Sequence, residues 1–400
     1  MANSQFELAE DEERSSCSSE DSLSHRRSSS DGSWKGLLHG NEKKNARQNN
    51  EKTGVRRHWL RIIGFMIVLG VIATLIWLSL LLTLRRHHKP RFPSNKVSSI
   101  IDDWRSPEDS IGLLSPWQSD FNQGILPMAC HSHNDYWRTV PLFQALAAGC
   151  ISVEADIYLP TKPESDDLLV GHSPRSLTQD RALQSLYIGP LITILENLNN
   201  DFNNSDSAGW SGIFQSSPGT TFTLFLDFKS DGSELWPYVN RHLENFRLKN
   251  WLTHWSSSKG LTWAPIIVVA SGKAPFDLLV SNTTYRDVFY DAPLEDIANP
   301  LYDNTNSYYA SVSMSKAIGR LWLWKFSSAQ LNKIAEQVSV ATSKDLKARY
   351  WDTPSWPITF RDYVSGIFIE KGVEILNVDG YSSVLYFPLM TRFGQNRLVW

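Results

Sequence analysis

The sequence predicts an α/β protein: a (β/α)8 TIM barrel preceded by a disordered tail and a single transmembrane helix. Three observations carry that expectation. From about residue 121 to residue 400, apolar runs of strand length alternate with helix-like stretches, and alternating βα units over about 250 residues are the signature of a parallel barrel. The 23 residues 62–84 contain no charge, and about 20 apolar residues suffice to span a bilayer as a helix. The first fifty residues are serine-rich and poor in apolar side chains, too poor to offset the entropy of ordering them.

Composition narrows the function classes. The chain has 400 residues, with 39 Lys+Arg against 42 Asp+Glu and a formal net charge of -3, so no global field selects nucleic acid. Three cysteines exclude a disulfide scaffold and a Cys-rich zinc module. Sixteen tryptophans point to aromatic walls or a membrane-proximal surface.

Residues 1–55 are expected to be a disordered Ser-rich tail, where Arg26-Arg27 before Ser28-Ser29-Ser30 offers either a kinase site or a plain solvated segment. Residues 56–91 are expected to be a transmembrane anchor with basic flanks. A cleaved signal peptide fits poorly, because the run starts some sixty residues in and ends in Arg85-Arg86-His87-His88-Lys89 rather than at small residues. Seven basic residues precede the run from Lys43 and five follow it to Lys96, which predicts a cytosolic amino terminus and a lumenal or extracellular barrel. Sequons at Asn203 and Asn282 agree with that orientation. Residues 92–120, with Pro93, Pro107 and Pro116, read as a linker.

Within residues 121–400 the candidate strands are 125–130, 151–157, 168–172, 222–228, 266–270, 288–290, 309–314, 348–351 and 373–378. Nine candidates for eight slots leave one surplus, and the short Val288–Tyr290 run is the first expected to drop out. Helical patterns fall at 142–148, 192–198, 235–246, 328–338 and 360–370.

Polar residues gather at the carboxyl ends of the first four candidates: His131 and His133, then Glu154 and Asp156, then His172, then Asp227 with Lys229. In a parallel barrel these ends share the face that carries active sites. Glu154 and Asp156, two apart, project to one side of their strand, and that side is inward, since carboxylates pressed against outer helices are costly. With Asp227 they make three carboxylates around one point, which calls for a cation; hard oxygen ligands favour Mg²⁺ or Ca²⁺. Histidines at the same rim can serve as acid and base. Singly, each residue also reads as a satisfied polar side chain or a simple ion pair; the placement at four successive strand ends makes the pattern.

That order resembles the phosphodiesterases of the phospholipase C-like TIM-barrel superfamily, whose glycerophosphodiester phosphodiesterases carry an early His, a Glu-x-Asp pair, a second His and a later acid-x-Lys. The Leu226-Asp227-Phe228-Lys229 form is closer to the sphingomyelinase D branch, and Arg349–Pro354 and Gly372–Gly380 resemble the last two glycerophosphodiesterase strands. The text His131-Ser132-His133-Asn134-Asp135-Tyr136, followed by Ser152-Val153-Glu154-Ala155-Asp156 behind an amino-terminal anchor, resembles the fungal altered inheritance of mitochondria protein 6 family. The likeness covers roughly residues 121–385.

The resemblance implies metal-assisted cleavage of a glycerophosphodiester or a (lyso)phospholipid-type phosphodiester. Glu154, Asp156 and Asp227 would hold Mg²⁺ or Ca²⁺, and His131, with His133 as its rival, and His172 would flank the phosphate. The family's His-Arg-Gly is His131-Ser132-His133 here, so Lys229, with Arg138, is expected to supply the missing positive charge. A metal-independent phosphatidylinositol phospholipase C-like enzyme and a barrel that binds lipid or protein without turnover remain the alternatives. Trp351 either lines the substrate mouth or packs in the core. Leu321–Phe326 either dips into a headgroup layer or packs on the barrel. Cys130 and Cys150, assigned to opposite ends of neighbouring strands, are expected to be free thiols.

Overall fold

The computed structural model of the chain describes residues 35–87, 94–161, 166–200 and 209–380, with side chains of the first helix described over 54–82. The serine clusters, the Asn203 sequon and the basic residues Lys89 and Arg91 lie outside the described residues. The chain divides into two units, one ending at His87 and the other beginning at His88.

The first unit contains helix α1, Lys35–His87. Its segment Gly54–Leu82 is 29 residues long and apolar enough to cross a membrane, and its large apolar side chains from Trp59 to Leu80 are exposed. The helix begins inside the stretch assigned from sequence to the tail.

The second unit is a closed parallel barrel. Its strands are β1 (Met128–Ser132), β2 (Cys150–Tyr158), β3 (Phe222–Phe228), β4 (Ile266–Gly272), β5 (Val288–Pro293), β6 (Ser307–Ser313), β7 (Lys347–Trp351) and β8 (Ile375–Val378). They neighbour one another in chain order, and β1 pairs in parallel with both β2 and β8, which closes the ring and leaves no open edge between its strands. Burial on both faces explains why β4 opens as a continuous apolar run, Ile266–Ala270.

Helices α2 (Lys96–Asp103), α3 (Phe143–Ala147), α4 (Gly189–Asn199), α5 (Gly232–His242), α6 (Ser328–Ser343) and α7 (Ile358–Glu370) belong to the same unit. Their apolar faces cover the strands, with Phe143, Leu191, Leu235 and Val338 buried.

Four expectations are corrected. Val288–Tyr290 is not surplus: it opens β5, a barrel strand between β4 and β6. The surplus candidate is 168–172, of which Leu169–Val170 pairs antiparallel with the end of β2. An apolar run of strand length does not reveal which neighbour it will pair with. Residues 92–120 are more than a linker. Val97, Ile100, Leu114 and Phe121 join the main core, and the backbone N–H of Val97 donates to Phe121 O at 2.9 Å.

Cys130 and Cys150 are not free thiols but a disulfide, with Cα atoms 4.8 Å apart. The error lay in the register. β1 starts at Met128, which pairs with Cys150, and an irregularity follows before His131. Cys130 therefore lies mid-strand beside the start of β2, not at the far end of its own.

Candidate active site

Strand parity builds the site. Along β2, Ser152, Glu154 and Asp156 alternate inward; along β3, Thr223, Phe225 and Asp227 do the same, and the register pairs Glu154 with Phe225 and Asp156 with Asp227. The barrel interior below is filled. Phe225 and Tyr309 stack at 6.0 Å between ring centroids, the His131 ring meets Phe225 edge-on at 5.0 Å, and the Arg349 guanidinium lies 4.7 Å from the Phe225 centroid. The carboxylates thus stand on a closed floor at the carboxyl ends of the strands.

Glu154, Asp156 and Asp227 each offer an oxygen within 4.8 Å of the others. Ligands on opposite sides of one ion lie about 4.2 Å apart for Mg²⁺ and about 4.6–5.2 Å apart for Ca²⁺, so one ion can touch all three. Asp156 Oδ1 and Asp227 Oδ1 are buried without a hydrogen-bond partner, which is costly unless a cation supplies one. The donor set and the two unpaired oxygens fit a hard divalent ion.

Electrostatics agree. Burial, reinforced by the Glu154 charge, pushes the Asp156 carboxyl up to about 7. Burial also raises Asp227, against the pull of Lys229. Burial alone would raise Glu154 too, but its hydrogen bond to His131 and the charges of His133 and Arg349 outweigh it and hold Glu154 well below the usual carboxylate range. The Lys229 ammonium bridges Asp227 Oδ2 at 2.5 Å and Asp156 Oδ2 at 3.2 Å. Burial would lower its pKa, yet the two aspartates hold it above its ordinary value.

The three histidines occupy different positions. His131 is fully buried, with Nδ1 2.7 Å from Ser152 Oγ and Nε2 2.9 Å from Glu154 Oε2. Burial and the Arg349 charge lower its pKa to about 3. The ring is therefore neutral, and because a carboxylate only accepts, Nε2–H donates to Glu154 while Nδ1 accepts from Ser152. His133 is partly open: Nδ1 lies 2.6 Å from Asp379 Oδ1, and Nε2 points to the triad, 3.9 Å from Glu154 Oε2. His172 follows the short antiparallel strand. Its side chain is half exposed, with Nδ1 3.7 Å from Asp156 Oδ2 and 3.2 Å from the Tyr136 hydroxyl.

Between His131 and His133, Ser132 faces the other way. Its hydroxyl donates to Asp135 Oδ1 at 2.7 Å, and Asp135 also accepts from the Leu142 backbone N–H. Arg138 donates to Val378 O at 2.9 Å and to the backbone oxygen of Asp379, so it ties the β1 loop to the end of β8. Trp351 ends β7 with an exposed side chain.

Sequence reasoning gave no role to several residues here. Tyr136 places its hydroxyl 2.7 Å from Asp156 Oδ2, and the exposed Trp137 ring lies 4.6 Å from His172. Arg349 donates to Asn377 Oδ1 at 2.9 Å and to Ser311 Oγ at 3.1 Å. Its inward parity in the candidate strand 348–351 was the available signal. Gly272 ends β4 with φ +67°; a β-carbon there would strike Asp227 Oδ1 and lie 2.9 Å from Phe228 O.

A family model described as the AIM6-like phosphodiesterase domain matches residues 119–291. The altered inheritance of mitochondria protein 6 homolog of Arthroderma benhamiae is 36% identical over 272 residues, which is 66% of this chain and 84% of that protein. Altered inheritance of mitochondria protein 6 of Saccharomyces cerevisiae strain S288c is 32% identical over 281 residues, 64% of this chain and 70% of that protein. Among solved structures, a glycerophosphodiester phosphodiesterase from Parabacteroides distasonis aligns with 68% of this chain and all of its own, at a TM-score of 0.38 and 11% identity.

Proposed function

The chain belongs to the altered inheritance of mitochondria protein 6 family, and on that footing we propose that it is a membrane-anchored, metal-dependent phosphoric diester hydrolase. Its substrate would be a glycerophosphodiester or a (lyso)phospholipid-type diester. The observation that carries this reading is the Glu154–Asp156–Asp227 triad, with two buried oxygens lacking partners and two histidines open beside it.

Glu154, Asp156 and Asp227 would hold the ion, Mg²⁺ or Ca²⁺. When bound, it offsets negative charge developing on the phosphate. Lys229, already between two of the acids, adds a second positive charge next to the phosphate, in the place of the arginine that Ser132 replaces. His133 and His172 exchange protons with the substrate: one takes the proton of the attacking oxygen, from water or a neighbouring substrate hydroxyl, and the other gives one to the leaving alkoxide. With water the products are a phosphomonoester and an alcohol; with the hydroxyl, a cyclic phosphate and an alcohol. Asp379 fixes the His133 tautomer by accepting from Nδ1. His131, with both ring nitrogens committed, orients Glu154 as a positioning residue.

Residues 62–84 would anchor the chain, with the amino terminus cytosolic and the barrel lumenal or extracellular. The Cys130–Cys150 disulfide supports an oxidising compartment. The test is a panel of choline, ethanolamine, inositol and glycerol diesters offered to the full chain in detergent. Release of a headgroup or a cyclic phosphate that needs added Mg²⁺ and stops with EDTA is the expected result. No turnover on any member would overturn the reading in favour of a binding barrel.

A further inference from the structure

The two most exposed large apolar side chains of the second unit among the described residues, Trp322 and Leu323, are adjacent. After β6, Trp322, Leu323 and Trp324 are 82%, 77% and 57% exposed. They form the tip of a tight hairpin in which Trp322 and Lys325 bridge antiparallel and the Lys325 N–H donates to Trp322 O at 3.0 Å. Leu323 and Trp324 both have positive φ, 49° and 60°, a left-handed conformation that large side chains rarely adopt. Two adjacent residues are thus held in unfavourable backbone geometry, and the result is to push apolar groups into solvent rather than to bury them. Such strain points to a use outside the fold.

The hairpin is braced rather than loose: the Trp324 ring stacks on Phe360 of α7 at 5.5 Å. The last residue of β7, Trp351, and the loop after it add further exposed rings, Trp356 being 68% exposed. All these residues lie at or beyond the carboxyl ends of β6 and β7, on the end of the barrel that carries the triad. Arg320 and Lys325 flank the tip, both exposed, and neither forms an ion pair among the described residues.

We propose that this aromatic hairpin docks the triad-bearing end of the barrel onto the headgroup layer of a lipid bilayer. Tryptophan prefers the headgroup region of a bilayer, and the two cations, without an ion pair among the described residues, complement the headgroup phosphates. Docking would bring the mouth against lipid so that a headgroup diester can reach the site from the membrane. The last step rests on the hydrolase reading; the docking itself does not.

The test uses the full chain reconstituted in vesicles of phosphatidylcholine with phosphatidylserine. An environment-sensitive dye is attached at Leu323→Cys in a Cys17→Ser background, or, as the control, at Leu248→Cys, an exposed position before β4 at the other end of the barrel. Blue-shifted emission and quenching by spin-labelled lipid at position 323 but not at 248, lost in Arg320→Glu with Lys325→Glu, is the expected result. Absence of quenching at 323, or equal quenching at 323 and 248, overturns the proposal. Trp322→Ala with Trp324→Ala should also lose turnover of a vesicle-borne diester while keeping turnover of a water-soluble glycerophosphodiester. Quenching without any turnover would leave docking standing and remove the hydrolase reading.

Discussion

Asp156 and Asp227 sit on one rung of adjacent parallel strands, paired register to register across β2 and β3, with one buried oxygen on each left without a hydrogen-bond partner. Two carboxylates at that spacing repel, and burial raises the cost of both charges. Lys229 offsets part of this. A divalent ion would offset the rest, so ion binding should stabilise the folded chain. Mg²⁺ at about a hundred times its dissociation constant is expected to add about 2.7 kcal/mol, read as a rise in Tm. Asp227→Asn should melt at or above the wild-type temperature in EDTA and lose the Mg²⁺-dependent rise.

Gly272 gives a second test of the same carboxylate. A methyl group at 272 forces Asp227 aside and strains a backbone at φ +67°. Gly272→Ala should fold with a destabilisation of about 1 kcal/mol or more and bind Mg²⁺ more weakly than wild type, measured by calorimetric titration. Unchanged affinity would show that the Asp227 side chain is free to swing away from the triad without consequence.

The histidines should separate by function. His133→Gln and His172→Gln are each expected to lower kcat by about 10²–10⁴-fold, the usual worth of one proton transfer, with ion affinity retained. His131→Ala should instead weaken ion binding by about 10–100-fold, as loss of an outer partner does. Equal loss of binding in all three variants would contradict the division of roles.

Much of this was legible in sequence because β strands alternate: Glu-x-Asp at 154 and 156 announces one inward face wherever the strand lies. Strand pairing is a different matter. Whether 168–172 entered the ring or folded back on β2 depended on contacts far away in sequence, so the periodicity that identified it as extended did not identify its neighbour. The same gap hid the disulfide, since a shift of strand start by three residues moved Cys130 beside Cys150. Arg349 and Asp379 were present in a recognised stretch, but their partners, Asn377 and His133, become visible only when β7, β8 and β1 close the barrel.

The disulfide carries its own consequence. It links residues 20 apart, a loop whose closure is worth about 3 kcal/mol in the chain-entropy model. Reduction should lower Tm, and peptide mapping of unreduced protein should recover Cys130 joined to Cys150. Asn282, exposed in its sequon, should carry a glycan removable by an amidase if the barrel is lumenal; an unmodified Asn282 with free thiols at 130 and 150 would place it in the cytosol.

The hydrolase reading requires three acids from two strands to bind one divalent ion. Equilibrium titration of the metal-stripped full chain with Mn²⁺, followed by electron paramagnetic resonance, addresses it most directly. One bound ion per chain, lost in each of Glu154→Gln, Asp156→Asn and Asp227→Asn and displaced by excess Mg²⁺, is the predicted result. No bound ion, or an ion retained when any of the three acids is neutralised, would rule out shared ligation by the triad.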